Sequence, residues 1–310
     1  MVLHRCAVLG QPIAHSLSPV LHNAAYMALG VEDWEYTRAE VGEQDLPAFL
    51  AGLDDTWVGL SLTMPLKRTI IPYGKLRNRW ARQLKVANTA VMHYDETVRS
   101  IDLYNTDVYG IACAFQHALY EQGTVPKRNS TMLILGNGNT AASAVAAAVM
   151  MGCVDQVIVA ARHVEKTETL RELVAVQSNT MKPLQSIALS DAAQAMAQAD
   201  LIVNTIPGLG ADVVAQQFME LNLSAKPDAL LLDVVYAPRV TQLMNAFSQA
   251  DGTSISGIEM LIYQAIAQVL LMTGVDPSFN ADDVQSGQPN VLGMLENAMR
   301  TALEEALQHE

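Results

Sequence analysis

Cysteine is scarce in this chain. The three present, Cys6, Cys113 and Cys153, are scattered and form no CxxC pair, which suits reduced thiols and excludes a disulfide framework. Long apolar runs are missing as well. None reaches the roughly 18 residues of a membrane-spanning helix, and the apolar segment before Gln11 is too short for a signal peptide. The expectation is a cytoplasmic protein with no membrane partner. Metal-ligand spacing is absent too: His15 and His22 are the closest histidine pair, seven residues apart, with no neighbouring cysteine and no HExxH, so no metal is expected. Positive charge is in short supply. With 19 Lys and Arg against 32 Asp and Glu, the net charge of −13 repels a phosphate backbone and argues against a nucleic-acid partner.

What is present describes an ordinary folded chain. Half of the residues are apolar and 16% are charged, away from the composition of disordered segments, and 310 residues suit about two domains. From residue 131 onward, short apolar runs alternate with helix-length segments: TMLILG, NTAASAVAAAVMMG, QVIVAA, SIAL, LIVNTI and ALLLDVVY. This order predicts a parallel α/β sheet with right-handed crossovers. The first hundred residues alternate as well, through HRCAVLG, WEYTRAEV and WVGLSLT, and close with NTAVMHY and VRSIDLY around a DET turn, which reads as a hairpin. QGTVPKRNS, at 122–130, reads as the surface connection between the halves. Seven of the Lys and Arg fall between Lys67 and Lys85. That stretch reads either as a solvated helix face or as a local positive field for an anion.

Three places suggest chemistry. Ser18-Pro19 opens a helix, with serine suited to the N-cap and proline to the first helical position. His15, Ser16 and Ser18 then lie in a loop at the carboxyl end of the first strand, where hydroxyls and helix-start donors would suit a carboxylate. In LILGNGNTAASA, Gly136, Gly138 and Ala141 fit GxGxx[GA] between a strand and a helix, the context of a dinucleotide site. The next strand ends near Ala161 and is followed by Arg162, where an NAD site would place an acid. Arg162, with Lys166 one turn further along a helix, suits a 2′-phosphate and therefore NADP. The third place is SLTMPLK at 61–67, where Lys67 needs a partner that its own segment does not supply.

These residues resemble the shikimate dehydrogenase family, and the resemblance runs through most of the chain. GQPIAHSLSP at 10–19, the strand ending in Thr63, Pro65 and Lys67, Asn88-Thr89, Asn105-Thr106-Asp107, Asn204-Thr205 with Pro207, DVVYAPRVTQL at 233–243 and GIEMLIYQAIAQ at 257–268 follow the family order. The resemblance implies a Rossmann-like doubly wound α/β domain that binds NADP, residues 107–256. It also implies a smaller α/β substrate-binding domain, residues 1–106 completed by helices in 257–310, with the active site in the cleft. It implies Lys67 and Asp107 as the catalytic pair and Ser16 and Ser18 on the carboxylate of a small anionic substrate. Thr63, Asn88, Asp107 and Gln264 would contact ring hydroxyls, with Tyr236 nearby, while Asn139, Asn204 and Gly257 would line the dinucleotide. The implied activity is NADP-dependent, reversible reduction of 3-dehydroshikimate to shikimate by a monomer or homodimer. A quinate/shikimate dehydrogenase, an aminoshikimate relative and a non-catalytic nucleotide-binding regulator share the scaffold and remain open. Departures from the family pattern are Ser61 in place of a common asparagine, residues 85–87, Asn139, and Ala-Arg-His at 161–163.

Overall fold

The computed structural model describes residues 3–95, 98–125, 127–177 and 181–308. Glu96 and Thr97 of the expected DET turn, and Pro126 of the expected connection, lie outside the described residues. The chain forms two compact units, Met1–Gly110 with Leu261–Glu310, and Ile111–Met260. They are nearly equal in length, where the resemblance implies a smaller substrate-binding part. Asp107, the first residue of the expected nucleotide-binding part, belongs to the same unit as Lys67.

In the first unit, the elements run β1 (His4–Gly10), α1 (Ser18–Ala28), β2 (Trp34–Glu40), α2 (Leu46–Ala51), β3 (Trp57–Leu62), α3 (Leu66–Thr69), β4 (Lys75–Leu76), α4 (Arg79–Leu84), β5 (Thr89–Asp95) and β6 (Val98–Tyr104). The six strands form one sheet in the order β2-β1-β3-β5-β6-β4. β1 is a central strand, parallel to both neighbours, and its last five residues are buried, as expected where both faces of a strand are covered. β5 and β6 are the expected antiparallel hairpin, with Thr89 opposite Tyr104. The core gathers Leu9, Leu60, Leu62, Leu66 and Leu103.

One local expectation changes. Leu17, not Ser18, occupies the N-cap of α1, and no side chain caps that helix. Instead Ser16 Oγ accepts from the Ser18 main-chain N–H at 3.3 Å, because proline one residue into the helix removes one of the N–H groups that a cap would serve. The basic stretch is also occupied locally. Arg77 Nε meets Asp102 Oδ1 at 2.6 Å, the Arg79 guanidinium lies over the Trp80 ring, and Arg82 donates to the Arg77 carbonyl.

α5 (Asp107–Glu121) leads into the second unit, where the order is β7 (Ser130–Leu135), α6 (Asn139–Met151), β8 (Val154–Ala161), α7 (Glu168–Gln177), β9 (Gln185–Ala188), α8 (Ala192–Gln198), β10 (Leu201–Asn204), α9 (Asp212–Glu220), β11 (Leu230–Asp233), α10 (Gln242–Gln249) and β12 (Thr253–Ser256). α11 (Gly257–Thr273) returns to the first unit and α12 (Pro289–Gln308) completes it. The second sheet is parallel, in the order β12-β11-β10-β7-β8-β9. From β7 the chain first winds outward to β9, then crosses back to β10 and winds the other way. The sheet therefore has a topological switch point between β7 and β10, where ligands of open α/β sheets bind. Lys166 sits on a short 3-10 helix, Val164–Thr167, before α7. ALLLDVVY is a strand only as far as Asp233, because its carboxylate accepts from the Val235 N–H at 3.1 Å and turns the chain. Among the described residues, no helix is long and apolar enough to cross a membrane.

Candidate active site

Lys67 and Asp107, forty residues apart in sequence, meet at 2.6 Å between Nζ and Oδ2. Their side chains are 14% and 5% exposed, so the pair is shielded from water but the ammonium can be reached. β3 ends at Leu62, and the short α3 that follows places Lys67. Asp107 is the first residue of α5, where a carboxylate is favoured by the helix dipole. Its other oxygen, Oδ1, accepts from Asn88 Nδ2 at 2.9 Å. Asn88 is itself held by main chain, since its Oδ1 accepts from the Thr106 N–H at 2.8 Å.

Gln264 reaches this cluster from α11, with its Oε1 3.4 Å from Asn88 Nδ2. Thr63 is half-buried just past β3, its N–H donating to the Leu9 carbonyl at 2.9 Å, and Gln11 N–H donates to the Met64 carbonyl at 3.0 Å. The loop carrying Ser16 and the segment carrying Lys67 therefore leave neighbouring strands side by side. Ser18 is buried beside Tyr36. Thus the structure brings together Lys67, Asp107, Asn88 and Gln264, with Thr63 just past β3, Ser16 in the loop after β1 and Ser18 at the start of α1. Tyr236 belongs to the other unit, half-buried in the loop after β11, where burial raises its hydroxyl pKa.

A polar residue beside the cluster was not singled out from sequence. Gln268, one turn after Gln264, is buried and donates to the Asn88 carbonyl and to Thr89 Oγ1, both at 3.1 Å. Two glutamines four apart on a largely apolar helix were the available signal, because that spacing places both on one face. His22, weighed from sequence as half of a metal pair, is fully buried and stacked on Tyr36, with ring centroids 3.9 Å apart. Burial pushes its imidazole down to about 3, opposed by a hydrogen bond with Gln268.

At the switch point of the second sheet, the turn from β7 into α6 fits a dinucleotide. Gly136 has φ +104°, and a Cβ there would come within 2.6 Å of Thr205 Oγ1. A Cβ at Gly138 would meet no protein atom within 4 Å. The space before the helix N-terminus is open, as close approach of a pyrophosphate requires. No acidic side chain stands in the first turn of α6, which Asn139 begins. Ala141 is fully buried against the sheet. Arg162 and Lys166 are exposed beyond the end of the adjacent β8.

Two of the residues expected along the dinucleotide have scaffold contacts. The Asn204 amide is buried and engaged at both ends, donating to Asp233 Oδ1 at 2.9 Å and accepting from the Ile206 N–H at 3.1 Å. A Cβ at Gly257 would fall 2.6 Å from the Val234 carbonyl oxygen, so glycine there permits α11 to start against main chain.

The two turn glycines should therefore separate on substitution. Gly136→Ala should lower stability by about 1–3 kcal/mol, through backbone strain and contact with Thr205. Gly138→Ala should leave the unfolding midpoint unchanged and weaken NADP binding in calorimetry. Wild-type affinity in Gly138→Ala would mean that no phosphate approaches this turn.

Comparison with known proteins agrees with both units. Residues 8–90 match the shikimate dehydrogenase substrate binding domain, and residues 119–260 match shikimate/quinate 5-dehydrogenase. The chain is 35% identical to the shikimate dehydrogenase (NADP(+)) of Citrifermentans bemidjiense, over 87% of this chain and 90% of that one. The crystal structure of Mycobacterium tuberculosis shikimate dehydrogenase is similar with a TM-score of 0.78 and 34% identity, covering 98% of this chain and 99% of that one. The Thermus thermophilus shikimate 5-dehydrogenase, solved in complex with NADP(H) and shikimate, is similar with a TM-score of 0.71 and 25% identity, covering 96% of this chain and 99% of that one. With both domain matches in order along one chain and this identity over nearly its whole length, the protein belongs to the shikimate dehydrogenase family.

Proposed function

We propose that the protein catalyses the reversible NADP-dependent reduction of 3-dehydroshikimate to shikimate. The observation that carries this reading is the shielded Lys67–Asp107 pair, at 2.6 Å, in a member of this family. Reduction of a ketone leaves negative charge growing on oxygen, and that oxygen needs a proton. Lys67 Nζ stabilises the charge and donates the proton; in the oxidation direction it takes the proton back. Asp107 orients the ammonium and joins the proton relay, itself held by Asn88. The hydroxyls of Ser16 and Ser18 hold the substrate carboxylate. Thr63, Asn88, Gln264 and Tyr236 read the ring hydroxyls.

The dinucleotide, when bound, supplies the hydride. Gly136, Gly138, Asn139 and Ala141 shape the turn that would hold its pyrophosphate, Asn204 and Gly257 fix the adjoining backbone, and Arg162 with Lys166 would meet a 2′-phosphate. A cytoplasmic location and a monomeric or homodimeric state belong to the same proposal. The direct test is an absorbance assay with shikimate or quinate against NADP or NAD. Turnover should be fastest with shikimate and NADP, and failure to oxidise shikimate would sink the reading. In the same assay, Arg162→Asp should lower kcat/KM for NADP and shift the ratio toward NAD. A ratio that did not move would remove Arg162 from cofactor choice.

A further inference from the structure

We propose that Ser61 and Thr89 are positioning residues for the dyad: with Tyr36, Gln268 and Asn88 they form one buried hydrogen-bond chain in which every donor points toward the Asp107 carboxylate. The inference rests on the dehydrogenase reading above. Tyr36 OH donates to Ser61 Oγ at 2.6 Å, and Ser61 Oγ donates to Gln268 Oε1 at 2.7 Å. Gln268 Nε2 donates to Thr89 Oγ1 at 3.1 Å, Thr89 Oγ1 to Asn88 Oδ1 at 3.0 Å, and Asn88 Nδ2 to Asp107 Oδ1 at 2.9 Å. Lys67 approaches the other carboxylate oxygen.

Main-chain groups decide the direction. The Thr106 N–H can only donate, so the Asn88 atom facing it is the carbonyl oxygen, and the Asn88 NH₂ faces Asp107. The Asn88 main-chain carbonyl can only accept, so the Gln268 atom facing it is the NH₂. Gln268 Oε1 then faces Ser61, and also His22 Nε2 at 3.2 Å. Flipping the Asn88 amide would set donor against donor at the Thr106 N–H, and flipping the Gln268 amide would set acceptor against acceptor at the Asn88 carbonyl. Thr89, between the two amides, is thereby oriented to donate to Asn88 Oδ1, and Ser61, facing Gln268 Oε1, to donate there.

The chain draws on distant parts of the first unit. Ser61 and Thr89 are cross-strand partners on β3 and β5, Tyr36 comes from β2, and Gln268 from α11. Tyr36, Ser61, Thr89, Gln268 and Asn88 are all buried, so water cannot readily replace a missing link. Bonds in such a series polarise one another. The series therefore holds Asn88 against Asp107 in one geometry, and Asp107 holds the Lys67 ammonium. Were the chain only a means of satisfying buried polar groups, breaking it would lower stability and leave turnover per folded enzyme unchanged.

Thr89→Val keeps the shape of the side chain and removes the hydroxyl, Thr89→Ser keeps the hydroxyl, and Ser61→Ala breaks the chain further upstream. In shikimate oxidation with NADP, Thr89→Val should lower kcat roughly five- to tenfold with KM within about twofold, the scale of one buried hydrogen bond. Thr89→Ser should restore most of the rate. Ser61→Ala combined with Thr89→Val should be no worse than the more impaired single variant, since both cut one series. A wild-type kcat in Thr89→Val, or losses that multiply in the double variant, would overturn the proposal. Absence of turnover in the wild-type enzyme would instead sink the dehydrogenase reading. The chain has a readout that needs no turnover: Ser61→Ala should shift the side-chain amide NMR resonances of Asn88, three hydrogen bonds away. Unshifted Asn88 resonances would overturn the proposal on their own.

Discussion

Lys67→Met should lower kcat for shikimate oxidation by about 10²- to 10⁴-fold, the usual contribution of a positioned acid or base, while KM changes far less. Methionine retains most of the volume of the lysine stem and removes the proton donor. The ammonium is needed most when charge appears on the substrate oxygen, whereas on the proposed assignment ground-state binding falls mainly to Ser16 and Ser18. Asp107→Asn should be strongly impaired as well, for a reason the geometry makes specific. One carboxylate oxygen faces Lys67 Nζ and the other faces Asn88 Nδ2, so either orientation of a substituted amide turns its NH₂ toward a donor. The double variant should be little worse than Lys67→Met, because residues acting as one unit are not additive. Steady-state kinetics on the four proteins decides this. Normal kcat with raised KM in Lys67→Met would make the lysine a substrate clamp, and losses that multiply would separate the pair.

How much of this arrangement was legible in the sequence depended on whether a signal was local. The β7–α6 turn was, because Gly136 and Gly138 carry their reason within a few residues of a strand and a helix. The β5–β6 hairpin was too, since both strands and their short connection lie in one window. Asp107 could be joined to Lys67 only through resemblance. No periodicity links positions forty residues apart, and the contact depends on α3 and α5 starting beside one another. Ser61 and Thr89 were harder still: their partnership is a matter of strand register, and register follows from the assembled sheet. Tyr36 acts across an intervening strand, since β1 lies between β2 and β3. The Ser18-Pro19 pair suits the N-cap and first helical position, yet it occupies the first two helical positions, with Leu17 before them at the N-cap.

Asp233 shows how a polar residue within an apolar run can be missed and still govern a site. It ends β11, is fully buried, and accepts from three donors: Asn204 Nδ2 at 2.9 Å, the Val235 N–H at 3.1 Å and Thr241 Oγ1 at 2.7 Å. Thr241 in turn caps α10 by accepting from the Met244 N–H at 3.2 Å. Asp233→Ala would strand three donors at roughly 1–3 kcal/mol each, so stability should fall by at least about 3 kcal/mol, against about 1 kcal/mol for Thr241→Val. Urea denaturation measures both, and an unchanged midpoint in Asp233→Ala would show that the three donors find other partners. The loss should reach function through the strand end it anchors. Asn204 holds the Ile206 N–H, and Thr205 lies against Gly136 in the dinucleotide turn, so NADP should bind more weakly to Asp233→Ala even under conditions where the variant remains folded. The pH dependence has a definite sign. Burial raises the Asp233 pKa in the folded protein, opposed by its three hydrogen bonds, so folding favours the protonated form relative to the unfolded chain. Its contribution is fully present below the unfolded pKa and declines as pH rises through the folded one. The stability gap between wild type and Asp233→Ala should therefore be widest in acid and narrow toward neutral pH. A gap that widened with rising pH would mean that the three donors outweigh burial and that Asp233 is held as a stabilised carboxylate.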